Sequence, residues 1–519
     1  MSDSRVATVL SYHTRSKHAL DRYAAGPGTL DWEAQPKAFR DWQGAAQIAL
    51  PREITVSQIT WGARAAPRAP LPLNAQNLGS LLRLCVGLTA WKEYAGSRWS
   101  LRAHPSSGNL HPTETWLIAT KVDGLADGLY HYQNLNHSLE RRAWGNDNSV
   151  ASVCLGFTSI HWREAWKYGE RAFRYCQLDM GHVLAAVSYA AALHGWQPRL
   201  LKMDPSEVAQ CLGTDRSNDF EGVESEEAEV IVALEASDVT PACVWQHWAG
   251  KPGLLDAKPL YQWPVIEEVA VATRGVVPVS KMPSPATMCL PDENAIRAAQ
   301  VILKRRSAQA FDGTSVMPLT VFKHMLASLL PGGSPVWNLW TAVARVHPVL
   351  LVHRVEGLAP GVYVMPRNEV ARASLRAAFR ATFTWEVADP ELPLYQLIAA
   401  RAGKTARTLS CHQDIATQCA VTFMMVAEFA APIAAHPVAY RHLHWEAGML
   451  GHVITLEAEA AGWRGTGIGC FFDDAVHEVL GIKDDTFQVI YHYAVGMALE
   501  DPRLSTLPAF EYTVRNPDE

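Results

Sequence analysis

Two short apolar runs, Trp116-Leu-Ile-Ala119 and Val349-Leu-Leu-Val352, lie just downstream of a His-Pro pair (His111-Pro112 and His347-Pro348) and just before a Gly-Leu-Ala-x-Gly stretch. A brief apolar run bounded by turn residues predicts a buried strand, and the glycine-rich stretch predicts the turn of a hairpin whose second strand starts at Tyr130 or Tyr363. The two hairpins are copies: Val122-Asp-Gly-Leu-Ala-Asp-Gly-Leu-Tyr130 and Val355-Glu-Gly-Leu-Ala-Pro-Gly-Val-Tyr363 begin 233 positions apart. A second set of matches follows at a spacing of 267: Arg174, Asp179, Gly181, Gly195 and Trp196 against Arg441, Glu446, Gly448, Gly462 and Trp463. Between the glycines of each pair runs an Ala-rich stretch. It predicts a helix with small residues suited to burial against another helix, stopped by Gly-Trp. Leu212-Gly213 answers Leu480-Gly481, and Val232-Ala-Leu-Glu235 loosely answers Met497-Ala-Leu-Glu500, predicting a closing strand in each copy.

Because the order of matches is preserved, the chain reads as two α+β units, at 61–250 and 291–519. An arm, 1–60, is expected to add a helix and wrapping contacts. The segment 251–290, with Lys251-Pro252, Lys258-Pro259 and Pro283-Ser284-Pro285, reads as an extended linker.

Composition narrows the function. At 519 residues and 48% apolar content the chain exceeds one core. A net charge of -6 with mixed signs gives no basic field for nucleic acid or an acidic membrane. The N-terminus has no apolar signal-like run, and no stretch of about 18 apolar residues appears, so a cytoplasmic protein is expected. Nine cysteines without a Cys-x-x-Cys pair favour reduced, core-packed thiols over a disulfide framework. The 20 histidines show no metal-ligand spacing, so no metal is expected. His442 and His444 would share a face on a strand and read as satisfied histidines.

The chemically informative motifs are complementary between the copies. The first copy holds Pro105-Ser106-Ser107-Gly108-Asn109, a loop able to offer N–H groups, hydroxyls and an amide to a polar ring edge; the second reads Trp340-Thr-Ala-Val-Ala-Arg-Val in the matching region. The second copy opens with Lys304-Arg305-Arg306-Ser307-Ala-Gln309, where two guanidiniums and a hydroxyl can clamp a phosphate. It also carries Gly465-Thr-Gly-Ile-Gly469-Cys470, backbone able to approach a planar ligand, where the first copy has Gln197-Pro-Arg-Leu-Leu. Lys167-Tyr168 occurs only in the first copy, the second reading Ala434-Ala435. Taken alone, that pair is a surface lysine beside a helix-packing tyrosine, and Arg305 to Ser307 a solvated helix start capped by Ser307.

Together these motifs resemble the nitroreductase superfamily, and more narrowly its SagB-type, thiazoline-oxidase-like branch. The resemblance covers nearly all of the chain after about residue 60. It implies two fused nitroreductase-type domains forming a pseudo-dimer, with one FMN between them. Arg305, Ser307, Gln309, Ile468, Gly469, Cys470 and Arg503 would come from the second copy and Pro105, Ser106, Ser107 and Asn109 from the first. Lys167 and Tyr168 match the pair implicated in removing a substrate proton. Gln309 stands where relatives usually place Lys or Arg, which puts a positive charge at the flavin edge in doubt. Three readings follow: an FMN-dependent dehydrogenase acting on a C–N or C–C bond of an azoline-like small molecule or peptide; an NAD(P)H-dependent nitro or quinone reductase; or a degenerate flavin-binding scaffold serving a peptide-modifying enzyme partner.

Overall fold

A computed structural model describes residues 2–32, 34–145, 151–234, 243–257, 259–276 and 293–510. The apolar runs become central strands. Strand β1 (Thr113–Thr120), buried at every position, pairs antiparallel with β2 (Gly128–Gln133) on one side. β3 (Ser138–Trp144) lies beyond β2, while β4 (Ser152–Ser159) and β5 (Glu227–Ala233) continue the sheet on the other side, giving the order β3-β2-β1-β4-β5. In the second unit, β6 (Val346–Val352), β7 (Gly361–Val364), β8 (Tyr395–Ala399), β9 (Val421–Glu428), β10 (Arg464–Ile468) and β11 (Phe487–Gly496) form the antiparallel order β8-β7-β6-β9-β11-β10. The sequence repeat is thus a repeat of topology: β2-β1-β4-β5 corresponds to β7-β6-β9-β11. Both hairpin turns need a left-handed residue at the same repeat position, met by Gly124 (φ 77°) and Gly357 (φ 72°).

Arm helix α1 (Ser2–Arg15) comes first. Helix α2 (His161–Tyr168) precedes α3 (Ala172–Leu193); α4 (Ala439–Ala460) and α5 (Asp473–Leu480) belong to the second unit. Both α3 and α4 have 22 residues, nearly all buried, as expected of helices apolar on most of their circumference. They cross where Gly181 meets Gly448. A methyl group on Gly181 would lie 2.1 Å from the Trp445 carbonyl oxygen, and one on Gly448 2.1 Å from that of Leu178, so the helices touch through their backbones. Repeat-related arginines then reach in opposite directions. Arg174 of the first unit binds Asp473 of the second at 2.8 Å, and Arg441 of the second binds Glu227 and Glu229 of the first at 2.7 and 2.5 Å. Side chains of both helices, including Leu178, Leu184, Met449 and Leu450, share one continuous core.

The arm touches both units: Tyr12 Oη donates to the Glu170 carbonyl at 2.7 Å, and His13 Nε2 lies 3.1 Å from Gln488 Oε1. At the other end of the chain, Ser505–Pro508 adds a strand to Leu88–Tyr94 of the first unit.

Some expectations are corrected. Pro264–Ala272 is a helix, with Pro264 at its first turn where a missing N–H costs nothing, so the connection is not extended throughout. Lys258, Pro283 to Pro285 and Glu235 lie outside the described residues. His442, half-buried, and His444, buried, lie on helix α4, so the shared face they would have on a strand does not arise. Four cysteines are not reduced core thiols: Cys211–Cys243 and Cys411–Cys470 form disulfides. Their sequence separations of 32 and 59 residues leave no local signature. Among the described residues no helix is long and apolar enough to cross a membrane, and no group of three or more His, Cys, Asp or Glu is placed to hold a metal.

Candidate active site

A cavity of about 650 Å³ opens where the loop before β1, the segment after Lys304 and the end of β10 converge. The first unit lends Pro105, Ser106, Ser107, Gly108, Asn109 and Tyr168 to its wall. The second lends Arg305, Arg306, Ser307, Gln309, Ile468, Gly469 and Cys470. Eleven of the twelve residues singled out for the cofactor therefore surround one space, although they come from segments more than 150 residues apart.

The exception is Arg503. It turns away to a bidentate ion pair with Asp501 (2.7 Å for Nη2) and packs over Tyr94, while Asp501 and Leu504 line the cavity instead. Lys167 is also outside the wall. Its ammonium sits 5.3 Å from the Tyr168 ring centre and 5.6 Å from that of Trp32. Burial pulls its pKa down, with Glu164 opposing. Tyr168 reaches the cavity and lies against Gly108, where a methyl group would come 2.5 Å from the phenol oxygen. Its ring meets Tyr175 edge-on at 4.7 Å, and Tyr175 Oη donates to the Gly469 carbonyl at 3.1 Å, tying the first unit's helix to the second unit's strand. Burial, followed by the charges of Glu164, Tyr175 and Asp179, raises the Tyr168 phenol well above its ordinary value, so it stays protonated.

The geometry revises several roles. The serine hydroxyls are engaged inside the protein: Ser106 Oγ donates to Asp179 Oδ2 at 2.6 Å, and Ser107 donates through Oγ (2.9 Å) and N–H (3.0 Å) to Asp179 Oδ1. The Asn109 amide donates to the Ser100 carbonyl at 2.9 Å, and its oxygen meets His111 Nε2 at 3.1 Å. Asn109 has φ 60° and Gly108 φ 57°, so the loop follows a left-handed path held from below by α3. Its side chains fix the loop shape, and the Ser107 and Asn109 N–H groups are themselves engaged, with Asp179 and with the Ser106 carbonyl. The β10 glycines likewise serve packing. A methyl group on Gly465, Gly467 or Gly469 would meet Tyr493, Tyr491 or Tyr175 at 2.7, 2.1 or 2.5 Å, and this segment is a paired strand rather than a free loop.

Arg305 is 3% exposed; its Nε donates to the Ala103 carbonyl at 2.9 Å and Nη2 to that of Arg102 at 3.1 Å, which braces the first unit's loop from the second. Its Nη1 is buried with no hydrogen-bond partner. Arg306 and Arg464 also line the cavity, Arg464 paired with Glu500 at 2.5 Å.

Sequence reasoning missed four contributors. Asp179 was visible only as a repeat position, yet it lines the cavity, and burial raises its carboxyl to about 7 despite the serine hydrogen bonds. Glu164, whose charge acts on Tyr168, is buried with both carboxyl oxygens unpartnered, and burial raises its carboxyl well above the ordinary value. His18 and Tyr23 bring the arm into the cavity wall. His18 accepts from Ala24 N–H at 2.9 Å, and burial followed by Arg171 holds it neutral, its pKa near 3. The arm carried no motif that could have announced this.

The repeat-related position is built differently. A second cavity, about 1080 Å³, is lined by Gln197 to Leu201, Trp337, Trp340 and Trp445. There Glu446, the counterpart of Asp179, accepts from Arg345 and Val346 N–H at 3.1 and 3.3 Å and pairs with Arg367. No serine loop is offered.

Residues 302–497 match the family model described as the Nitroreductase family. The second unit contains a Nitroreductase family domain. The matched stretch includes Arg305, Ser307, Gln309 and Ile468 to Cys470. The chain is also 26% identical over 137 residues to a protein of Methanocaldococcus jannaschii named, by inference, a nitroreductase; the match covers 24% of this chain and 66% of the relative. A crystal structure from Anabaena variabilis, of a protein also named by inference a nitroreductase, superposes with a TM-score of 0.71 at 23% identity, covering 95% of this chain and 99% of that one. One solved chain therefore carries the fold of both units together.

Proposed function

We propose that this chain is an FMN-dependent oxidoreductase with one cofactor site between its two units, and that it acts as a SagB-type dehydrogenase on a C–N or C–C bond of an azoline-like small molecule or peptide. The observation that carries this reading is the convergence of the complementary motifs of both units on one cavity, while the repeat-related cavity lacks them. The donor set suits a phosphorylated flavin. Arg305, with a buried unpartnered Nη1, together with Arg306 and Ser307, would hold the phosphate; Gln309, Ile468 to Cys470 and the backbone of Pro105 to Asn109 would hold the ring. When bound, FMN would supply two-electron hydride exchange.

The chain's own residues handle the proton. Tyr168 faces the substrate space with a phenol that burial keeps protonated, so it is suited to passing a proton on rather than holding a negative charge. Lys167 lies behind it as a positioning residue whose lowered pKa brings it closer to a neutral, proton-accepting amine. Asp179 holds the serine loop against the cavity.

The test compares wild type, Tyr168→Phe and Lys167→Ala with an azoline-like donor and, separately, with NADPH and a nitroaromatic. Tyr168→Phe should lose about 10²- to 10⁴-fold in kcat on the donor with an unchanged bound-flavin spectrum. Lys167→Ala should move the acid limb of the pH–rate profile. Full activity of both variants with NADPH and the nitroaromatic, and none of any form on the azoline, would replace this reading by the reductase.

A further inference from the structure

Cys411 and Cys470 differ from the other described cysteines by position. Cys85, Cys154, Cys176 and Cys419 are buried thiols, and burial raises Cys419 to about 12, which keeps it inert. In the other disulfide Cys211 is buried in a small apolar cluster, its carbonyl accepting from Trp245 Nε1 at 2.9 Å, and Cys243 is half-buried, but neither lines the 650 Å³ cavity. Both Cys411 and Cys470 are half-buried and line the 650 Å³ cavity.

The backbone around the pair is unusual as well. Cys411 (φ 51°) and His412 (φ 60°) are consecutive left-handed residues, a conformation that non-glycine residues rarely take and that clusters at functional sites. This reversal after the helix Gly403–Leu409 turns Cys411 toward the end of β10. Apart from the disulfide, the turn is tied to that end through Gln413, whose Nε2 donates to the Cys470 carbonyl at 3.2 Å and to the Ser410 carbonyl at 2.9 Å. The bridge thus joins a strained turn to the strand end carrying Ile468 and Gly469, at a place open to small molecules.

We propose that Cys411–Cys470 is a redox-active disulfide, a thiol–disulfide exchange site for a dithiol entering by the same cavity. One thiolate of the dithiol attacks a sulfur of the bridge; the Cys411–Cys470 bond breaks as a mixed disulfide forms. The donor's second thiolate then displaces the remaining cysteine. Two electrons and two protons pass to the pair, which ends as two thiols, and the donor leaves as its disulfide. The exchange needs no bound flavin, so it stands or falls separately from the cofactor reading.

The experiment equilibrates the full chain with dithiothreitol at graded ratios of reduced to oxidised form, quenches in acid, alkylates free thiols and quantifies each cysteine peptide by mass. Cys411 and Cys470 should become labelled together, following a two-electron couple in which a tenfold change in ratio corresponds to about 30 mV. They should do so at a ratio at least tenfold lower than Cys211 and Cys243 require. In Cys411→Ser, Cys470 should label without reductant. Reduction of both bridges at the same ratio, or alkylation of Cys411 and Cys470 in the air-equilibrated wild type, would overturn the proposal.

Discussion

Replacing Asp179 by Asn tests whether the carboxyl under the serine loop is the group that sets the pH response of this site. The side chain is 2% exposed, and burial raises its pKa from 3.8 to about 7 even though Ser106 and Ser107 donate to it. Between these values the folded protein holds a proton that the unfolded chain has already released. Stability is therefore greatest below pH 4 as far as this group is concerned, and falls as pH rises through 7. The displacement corresponds to on the order of 4 kcal/mol, an upper figure because relaxation around the charge reduces it. Asn keeps the shape and cannot ionise. Urea unfolding of wild type and Asp179→Asn at pH 4.5, 6 and 8 isolates the effect together with that of Glu164, whose carboxyl the Asp179 charge also raises, since titrating groups not coupled to Asp179 cancel in the comparison. The wild type should lose stability relative to the variant as pH rises, by up to that amount. Parallel pH profiles for the two proteins, or a wild type that gains relative to Asp179→Asn at pH 8, would refute the reasoning.

Purified protein should yield about one FMN per chain when released flavin is measured against peptide absorbance, and two per chain would contradict a single shared site. Arg305→Ala removes hydrogen bonds to the Arg102 and Ala103 carbonyls as well as a candidate phosphate contact, so flavin retention on a desalting column should fall. Retention equal to wild type would remove Arg305 from the cofactor assignment. Gly448→Ala places a methyl group 2.1 Å from the Leu178 carbonyl, where only backbone could give way, and should cost at least about 1–3 kcal/mol by urea unfolding. Gly26→Ala, with nothing within 4 Å, should stay within about 0.5 kcal/mol, and equal effects of the two would contradict the close crossing.

What could be read in advance was whatever local sequence determines. Apolar runs with glycine turns gave the central hairpins because a left-handed position at Gly124 and Gly357 is a local demand, and the Ala-rich stretches after Gly181 and Gly448 predicted helices buried against another helix. The convergence of Pro105 to Asn109 with Arg305 to Gln309 was legible only through complementarity, each unit holding what the other lacks. What stayed hidden depends on side-chain partners set by tertiary packing. Nothing near Ser106 says that a carboxylate from α3 would take its hydroxyl, and nothing near Arg503 ranks Asp501 above a ligand. The β10 glycines looked like ligand-facing backbone, because the tyrosine rings that require them lie on β11 and α3.

The two halves of the site belong to one chain and so are covalently one object, clasped by Ser505–Pro508, which crosses to the first unit, and by the arm helix, which also holds the second. In a pair of separate chains the occupancy of such an interface would obey mass action and fade on dilution. Here the local concentration of one half around the other is set by chain connectivity and is independent of how much protein is present. The site should therefore be as complete at nanomolar protein as at millimolar, and a substitution in either half enters the molecule once, leaving the two cavities free to diverge.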